Sequence, residues 1–484
     1  MTAALANFVV GVTTARLLGP DGAGRLAYLL WLSETTAVFV GFGLASSASR
    51  FVAELSGQGH PGQAVSLARW LYVRHLGLAS LGALALCGLG LWHFGSLAEA
   101  GTWVCFSAGF FVNASGTFYV SYLTGQQRFD VAARISAASS LLLIGGVVAG
   151  TACLRLLGAV LGYLAGSMPA ALLGLRFLIT GREDFLIQPH LRKRCLKFAL
   201  VTWLASLLSV FVWSRMEVFF LERYSGPTAV AMFAVGITLC GLATRVPLLL
   251  TGALLPHFAH CFGAGDSSGI KRTYAAATRL TAFMLFPCSL GLAAVMPTLL
   301  PYLFGEAFIP AVPTAMVLAA FSLLAFSSVG SALLYGSENP SFIAWSCALG
   351  AVLSLGACLL IIPRWGSFGA ACSRSAVQVA MVGLGAWYIS SRLACPFPAR
   401  ATGRILLAAV LSAVCAFLLA HNVRGPAGVA VAVRIGAAAY LVAVRALHAL
   451  PQQDCNALRL WIEKLPVPVS SLMARTVVWL GGAE

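Results

Sequence analysis

Five arginines and two glutamates stand within, or at the ends of, long apolar stretches: Arg16, Arg50, Arg215, Arg223, Arg245, Glu34 and Glu217. A fixed charge in the middle of a bilayer costs a few kcal/mol unless it faces water or a partner, so each is a candidate for function. Arginine suits phosphate or diphosphate, because its planar fork makes bidentate bonds and keeps its charge. A carboxylate at that depth can take up a coupling proton or bind Na⁺, a role open to Glu34 and Glu217. Plainer readings stand beside these. An arginine near a span end can lie along apolar surface and lift its head to the interface, which would account for Arg16, Arg50 and Arg223 equally well. Either glutamate can simply pair with an arginine. Arg215 and Glu217 are two residues apart, so their partners must come from other segments.

The elements that must position these charges are membrane spans. The chain of 484 residues is 60% hydrophobic and 10% charged, far below the charge of a soluble protein. Apolar runs of span length recur throughout, and the alternation a β-barrel would need is missing. An all-α polytopic membrane protein follows. Fourteen spans are expected near 1–17, 26–48, 75–95, 102–124, 135–154, 157–178, 198–221, 229–253, 276–296, 312–335, 342–363, 368–391, 405–421 and 428–444. The first is short and begins at Met1, so further residues are expected before it. Two six-helix lobes, 1–180 and 198–392, are joined by a basic linker at 181–197; two extra helices occupy 405–444, and the tail 451–484 is expected to lie on the membrane surface as an amphipathic helix.

Loops after even-numbered spans hold 15 Lys and Arg against 5 in the others, which places the even loops and both termini in the cytoplasm. The net charge of +16 is therefore a matter of orientation and anionic lipid, and no basic run interleaved with aromatics indicates nucleic acid. The thirteen cysteines are scattered, as small packing residues would be. There is no P-loop, so no ATP site is expected, and no cofactor is implied beyond a coupling H⁺ or Na⁺. His257-x-x-His260 stands alone near a helix end and reads as solvated. Gly265-Asp266-Ser267-Ser268-Gly269 fits the Gly-x-Ser-x-Gly pattern but lies in a short polar loop, where a turn is expected rather than a nucleophile elbow.

The sequence also repeats itself. At an offset of 207 residues Arg16 pairs with Arg223, Gly19 with Gly226, Pro20 with Pro227, Ala27 with Ala234 and Phe51 with Phe258. Two related bundles in one chain are the plan of an alternating-access transporter, with substrate between the halves.

Four stretches carry a resemblance to a known family. Ala15-Arg16-Leu17-Leu18-Gly19-Pro20 with Gly24, Ser214–Leu221, Leu300–Phe308 and Ile361–Ala371 occur in the order of the motifs of Wzx-like polysaccharide transporters. These are a branch of the multidrug/oligosaccharidyl-lipid/polysaccharide flippase superfamily. The chain resembles that branch from residue 1 to about 390, departing from it in the short first span and in Glu217, where Asp is commoner. The resemblance implies a flippase that carries isoprenoid-diphosphate-linked oligosaccharide across the bacterial inner membrane, alongside other polysaccharide-assembly proteins. It also implies that cavity arginines, here Arg16, Arg50, Arg215 and Arg245, contact the diphosphate. The rivals are a drug or ion antiporter of the same superfamily, which would favour cavity acids, and a membrane glycosyltransferase or polymerase, which would carry acids in outer loops.

Overall fold

The computed structural model describes residues 2–93, 97–180, 187–213, 216–249, 251, 254–336, 340–422 and 425–454. Among these every regular element is helical. In chain order the helices are α1 (Thr2–Gly41), α2 (Leu44–Gly57), α3 (Pro61–His93), α4 (Leu97–Gly125), α5 (Phe129–Thr180), α6 (Pro189–Trp213), α7 (Met216–Leu249), α8 (Leu254–Gly263), α9 (Ser267–Phe304), α10 (Val312–Phe321), α11 (Ser328–Gly336), α12 (Pro340–Arg392), α13 (Ala399–Asn422) and α14 (Pro426–Ala446). Large apolar side chains such as Trp92, Leu84, Trp345 and Leu360 stand exposed, as they would toward lipid.

Among the described residues eight helices are long and apolar enough to cross a membrane, or nine if the pair Leu5–Gly41 and Leu44–Gly57, bent by 57°, forms one more. The number is lower than fourteen partly because single helices contain two of the expected segments. At about 1.5 Å per residue, the 52 residues of α5 and the 53 of α12 run more than twice the ~30 Å of a hydrocarbon core. Each is broken once. Arg155 interrupts α5 at φ 52, ψ −124, and Gly366 interrupts α12 at φ 52, ψ −132. The seventh expected span, 198–221, is divided between α6 and α7, and residues 214–215 between them lie outside the described residues. So do 181–186 of the expected linker and 455–484 of the expected amphipathic tail. The rest of the linker is helical from Pro189, with Arg192, Lys193, Arg194 and Lys197 in the opening turns of α6.

The repeat is visible in the backbone. Gly19 breaks α1 at φ 70, ψ −178, and Gly226 breaks α7 at φ 76, ψ 178. That region is open essentially to glycine alone. The proline that follows each has its φ already set for the first position of a helix. The second pair of breaks, at Arg155 and Gly366, matches as closely but is offset by 211 residues. Arg155 holds this conformation without glycine's freedom, and its side chain is exposed. Arg155→Gly is therefore expected to stabilise the fold by about 1 kcal/mol, read as a higher melting temperature in detergent. An unchanged or lower value would show that the residue is not strained.

The chain forms two compact units, Met1–Ala231 and Met232–Glu484. The first reaches past the lobe boundary expected at 180, because α6 packs on α1 and α2. Its core includes Phe51, Leu67, Tyr72, Phe118, Leu123 and Cys195, contributed by α2, α3, α4 and α6. Tyr72 stacks on Phe118 at 4.8 Å between centroids, and its hydroxyl shares a hydrogen bond of 2.5 Å with Ser115. Burial pushes the Cys195 thiol up to about 12, so it packs as an apolar group. A second cluster joins Leu18, Leu29, Leu86, Phe106 and Ala159. The limbs of α5 meet in backbone contact, since a Cβ at Gly158 would lie 1.7 Å from the Gly150 carbonyl oxygen. In the second unit α9 packs against α10, α13 and α14, and Arg279 on α9 grips Asp454 through Nε at 2.5 Å and Nη2 at 2.9 Å.

Candidate functional site

Arg16 and Arg223 hold equivalent places, each three residues before a glycine break, and both are exposed. The two broken turns touch within the first unit. A Cβ built on Gly24 would lie 1.7 Å from the carbonyl oxygen of Pro227. Only the absence of a side chain at Gly24 allows this approach. Trp31 faces Phe219 at 6.2 Å and Tyr28 at 5.8 Å, extending the contact along both helices.

Beside this contact three acids share one cation. Arg25 pairs with Asp21 at 3.1 Å and with Glu99 at 3.5 Å. Glu222 lies within electrostatic reach of both Arg25 and Asp21. The residues come from α1, α4 and α7, so the group ties the N-terminal end of α4 to the paired turns. Neither Arg25 nor Glu222 stands out in the sequence as a site residue. Nothing in the local pattern joins Arg25 to positions 74 and 197 residues further along the chain.

The remaining candidates are spread out. Arg50 lies on α2, beyond the second limb of α1, whose 22 residues from Pro20 to Gly41 span about 33 Å. It therefore stands about one membrane thickness from Arg16. Its guanidinium sits 4.3 Å from the Phe198 centroid and 5.3 Å from that of Phe51. Glu34 is exposed on α1, within electrostatic reach of the Tyr163 phenol. Glu217 is buried in the first turn of α7 at 4% exposure. Arg245 is exposed on the part of α7 that belongs to the second unit. Arg215 lies outside the described residues.

Two motifs set aside for other chemistry have structural explanations. Asp266 caps α9, with Oδ1 accepting from the Gly269 N–H at 2.8 Å and the Ser268 hydroxyl at 2.7 Å. Those bonds hold its carboxyl below the usual carboxylate range. The Gly-x-Ser-x-Gly pattern is thus a helix start. His257 Nε2 pairs with the Thr273 hydroxyl at 3.1 Å, and His260 is exposed.

Residues 1–262 match the family model described as polysaccharide biosynthesis protein. No curated protein matches the chain by sequence. Among solved structures it is similar to a lipid II flippase MurJ in an inward closed conformation, with 13% identity, a TM-score of 0.74, and coverage of 92% of this chain and 97% of that one. An outward-facing multidrug resistance MATE family transporter of the MOP superfamily matches with 17% identity, a TM-score of 0.54, and coverage of 81% and 94%. A MOP superfamily transporter from Pyrococcus furiosus, described as having a binding pocket of reverse polarity, matches with 16% identity, a TM-score of 0.52, and coverage of 81% and 96%. The likeness is one of fold, and the fold is that of multi-pass transporters.

Proposed function

The chain belongs to the polysaccharide biosynthesis protein family, and on that premise we propose that it is a flippase for isoprenoid-diphosphate-linked oligosaccharide in a bacterial inner membrane, with both termini cytoplasmic. Family membership is the observation that carries the reading. The shared transporter fold supports it, as does the placement of Arg16 and Arg223 at equivalent turns. In this mechanism the lobes 1–180 and 198–392 alternate in access. Arg16, Arg50, Arg215, Arg223 and Arg245 meet the diphosphate in turn, the sugars cross in an aqueous cleft, and the lipid tail stays in the bilayer. Arginines spaced along the path suit this better than one tight cluster. Conduction past several sites needs each to bind well enough to receive the anion and weakly enough to release it.

In cells lacking the protein, lipid-linked sugar is expected to accumulate in the cytoplasmic leaflet, and wild-type protein restores its export. Arg16→Ala and Arg245→Ala, present at normal levels, are expected to restore it 10- to 100-fold more slowly, the loss for one charge-assisted contact. An unchanged leaflet distribution would overturn the reading and make dye export the next assay. Glu34 and Glu217 are proposed to couple H⁺ or Na⁺. Flipping in proteoliposomes should then cease when the proton, sodium and voltage gradients are all collapsed; persistence would remove that role.

A further inference from the structure

On the basic side of the first unit, one indole carries two cations. The Arg74 guanidinium lies 3.6 Å from the Trp70 ring centroid, and the Arg192 guanidinium lies 5.6 Å from it. Arg74 follows Trp70 by one turn of α3, and its Nη1 donates to the Trp70 carbonyl at 3.0 Å, which holds the head beside the ring. Arg192 reaches the same ring from the first turn of α6. Next to Trp70, Arg69 donates to the Leu178 carbonyl near the end of α5 at 2.7 Å and ties α3 to α5.

The two guanidinia are close enough to repel one another. Among the described residues neither has an acid within ion-pair distance. The Arg192 Nε is buried with no hydrogen-bond acceptor among the described residues. A ring face offsets part of one cation's charge at an exposed site, and it does not neutralise two. Arg194, two residues along α6, is the contrast, for Glu54 takes its fork at 2.6 Å and 3.2 Å. Among the described residues an acid reaches Arg194 and none reaches Arg74 or Arg192.

Such a pair fits an anion that brings several acceptor oxygens. Trp70 stands just before the apolar run of α3, where tryptophan marks the headgroup level of a bilayer. Val73 is exposed at 58%, and Ile179, beside Leu178, at 82%. A phosphate with acyl chains has use for both the cations and this apolar surface; a free phosphate uses only the cations. We propose that Trp70, Arg74 and Arg192 form a binding site for the phosphate of an anionic phospholipid in the leaflet beside this end of the unit. The site does not depend on what the protein transports.

Native mass spectrometry of the full chain, titrated with phosphatidylglycerol or phosphatidylcholine, tests it. Arg74→Gln with Arg192→Gln is expected to weaken phosphatidylglycerol binding about 30-fold, the factor for two interfacial cations, and to leave phosphatidylcholine unchanged. Arg392→Gln with Arg400→Gln removes two exposed arginines elsewhere and is expected to change little. Arg192→Glu places an acid on the same indole as Arg74, so this variant should melt no lower than wild type while expelling the anionic lipid. Retention of the lipid by the first pair or by Arg192→Glu would overturn the proposal, as would an equal loss in the control pair. Inorganic pyrophosphate that displaces the lipid at matching concentration would also overturn it, by identifying a site for free phosphate.

Discussion

Gly24→Ala is expected to abolish transport and to lower the melting temperature by several degrees. The added Cβ would fall 1.7 Å from the Pro227 oxygen, 2.4 Å from its carbonyl carbon and 3.1 Å from its Cα. All three are backbone atoms at the start of a half-helix, so no rotamer change relieves the clash. Ordinary contact between heavy atoms needs about 3.5 Å, so the two turns would have to part by nearly 2 Å. Overpacking of a well-packed contact costs about 1–3 kcal/mol, and a clash confined to backbone belongs at the upper end. The displacement would also loosen the Trp31–Phe219 contact and the reach of Arg25 toward Glu222. Gly77→Ala is the control, since a Cβ there meets no atom within 4 Å. It is expected to be neutral or slightly stabilising, because alanine is the better helix former. Melting in detergent and leaflet accessibility of lipid-linked sugar read both variants. A Gly24→Ala protein that melts and transports like wild type would mean that the two turns do not meet as closely as described.

Asp454→Ala carries the other large effect. The Arg279–Asp454 side chains are 16% and 4% exposed, and the guanidinium grips both carboxylate oxygens. Removing the acid leaves a largely buried guanidinium uncompensated, at about 3–5 kcal/mol. Replacing both partners, Arg279→Met with Asp454→Leu, removes the stranded charge and is expected to recover most of the loss. The comparison separates the value of the ion pair from the cost of breaking one side of it. If the single variant melted like wild type, the segment at 451–454 would not be anchored to α9 by this pair. If the double variant were no better than the single, the pair would act through geometry that apolar packing cannot replace.

The helical class and the first pair of turns were legible because their signals are local. Span-length apolar runs mark the helices, and Arg16-x-x-Gly19-Pro20 reappears as Arg223-x-x-Gly226-Pro227. The second pair of turns was not legible. Its members are an arginine and a glycine, and the offset has slipped from 207 to 211. The opening of α6 was hidden for a related reason: Arg192, Lys193 and Arg194 look like a loop, whereas they lie in the first turns of a helix begun by Pro189. Of the candidate site, residue types were readable and positions were not. Arg50 was recognisable as a cation, but its separation from Arg16 depends on an unbroken limb of α1. Glu99 and Glu222 reach Arg25, and Asp454 reaches Arg279, across chain separations that no periodicity encodes.

The matched breaks reach beyond the individual turns. Few side chains agree between the halves, yet Gly19 and Gly226 differ by 6° in φ (70 against 76), and Arg155 and Gly366 share the same φ of 52. Descent from a duplicated half would thus have preserved hinge shape while releasing residue identity. Each copy is then a natural template for editing the other. A residue tolerated at a hinge in one half is a rational graft at its counterpart, and a graft that fails marks where the halves have taken on different work.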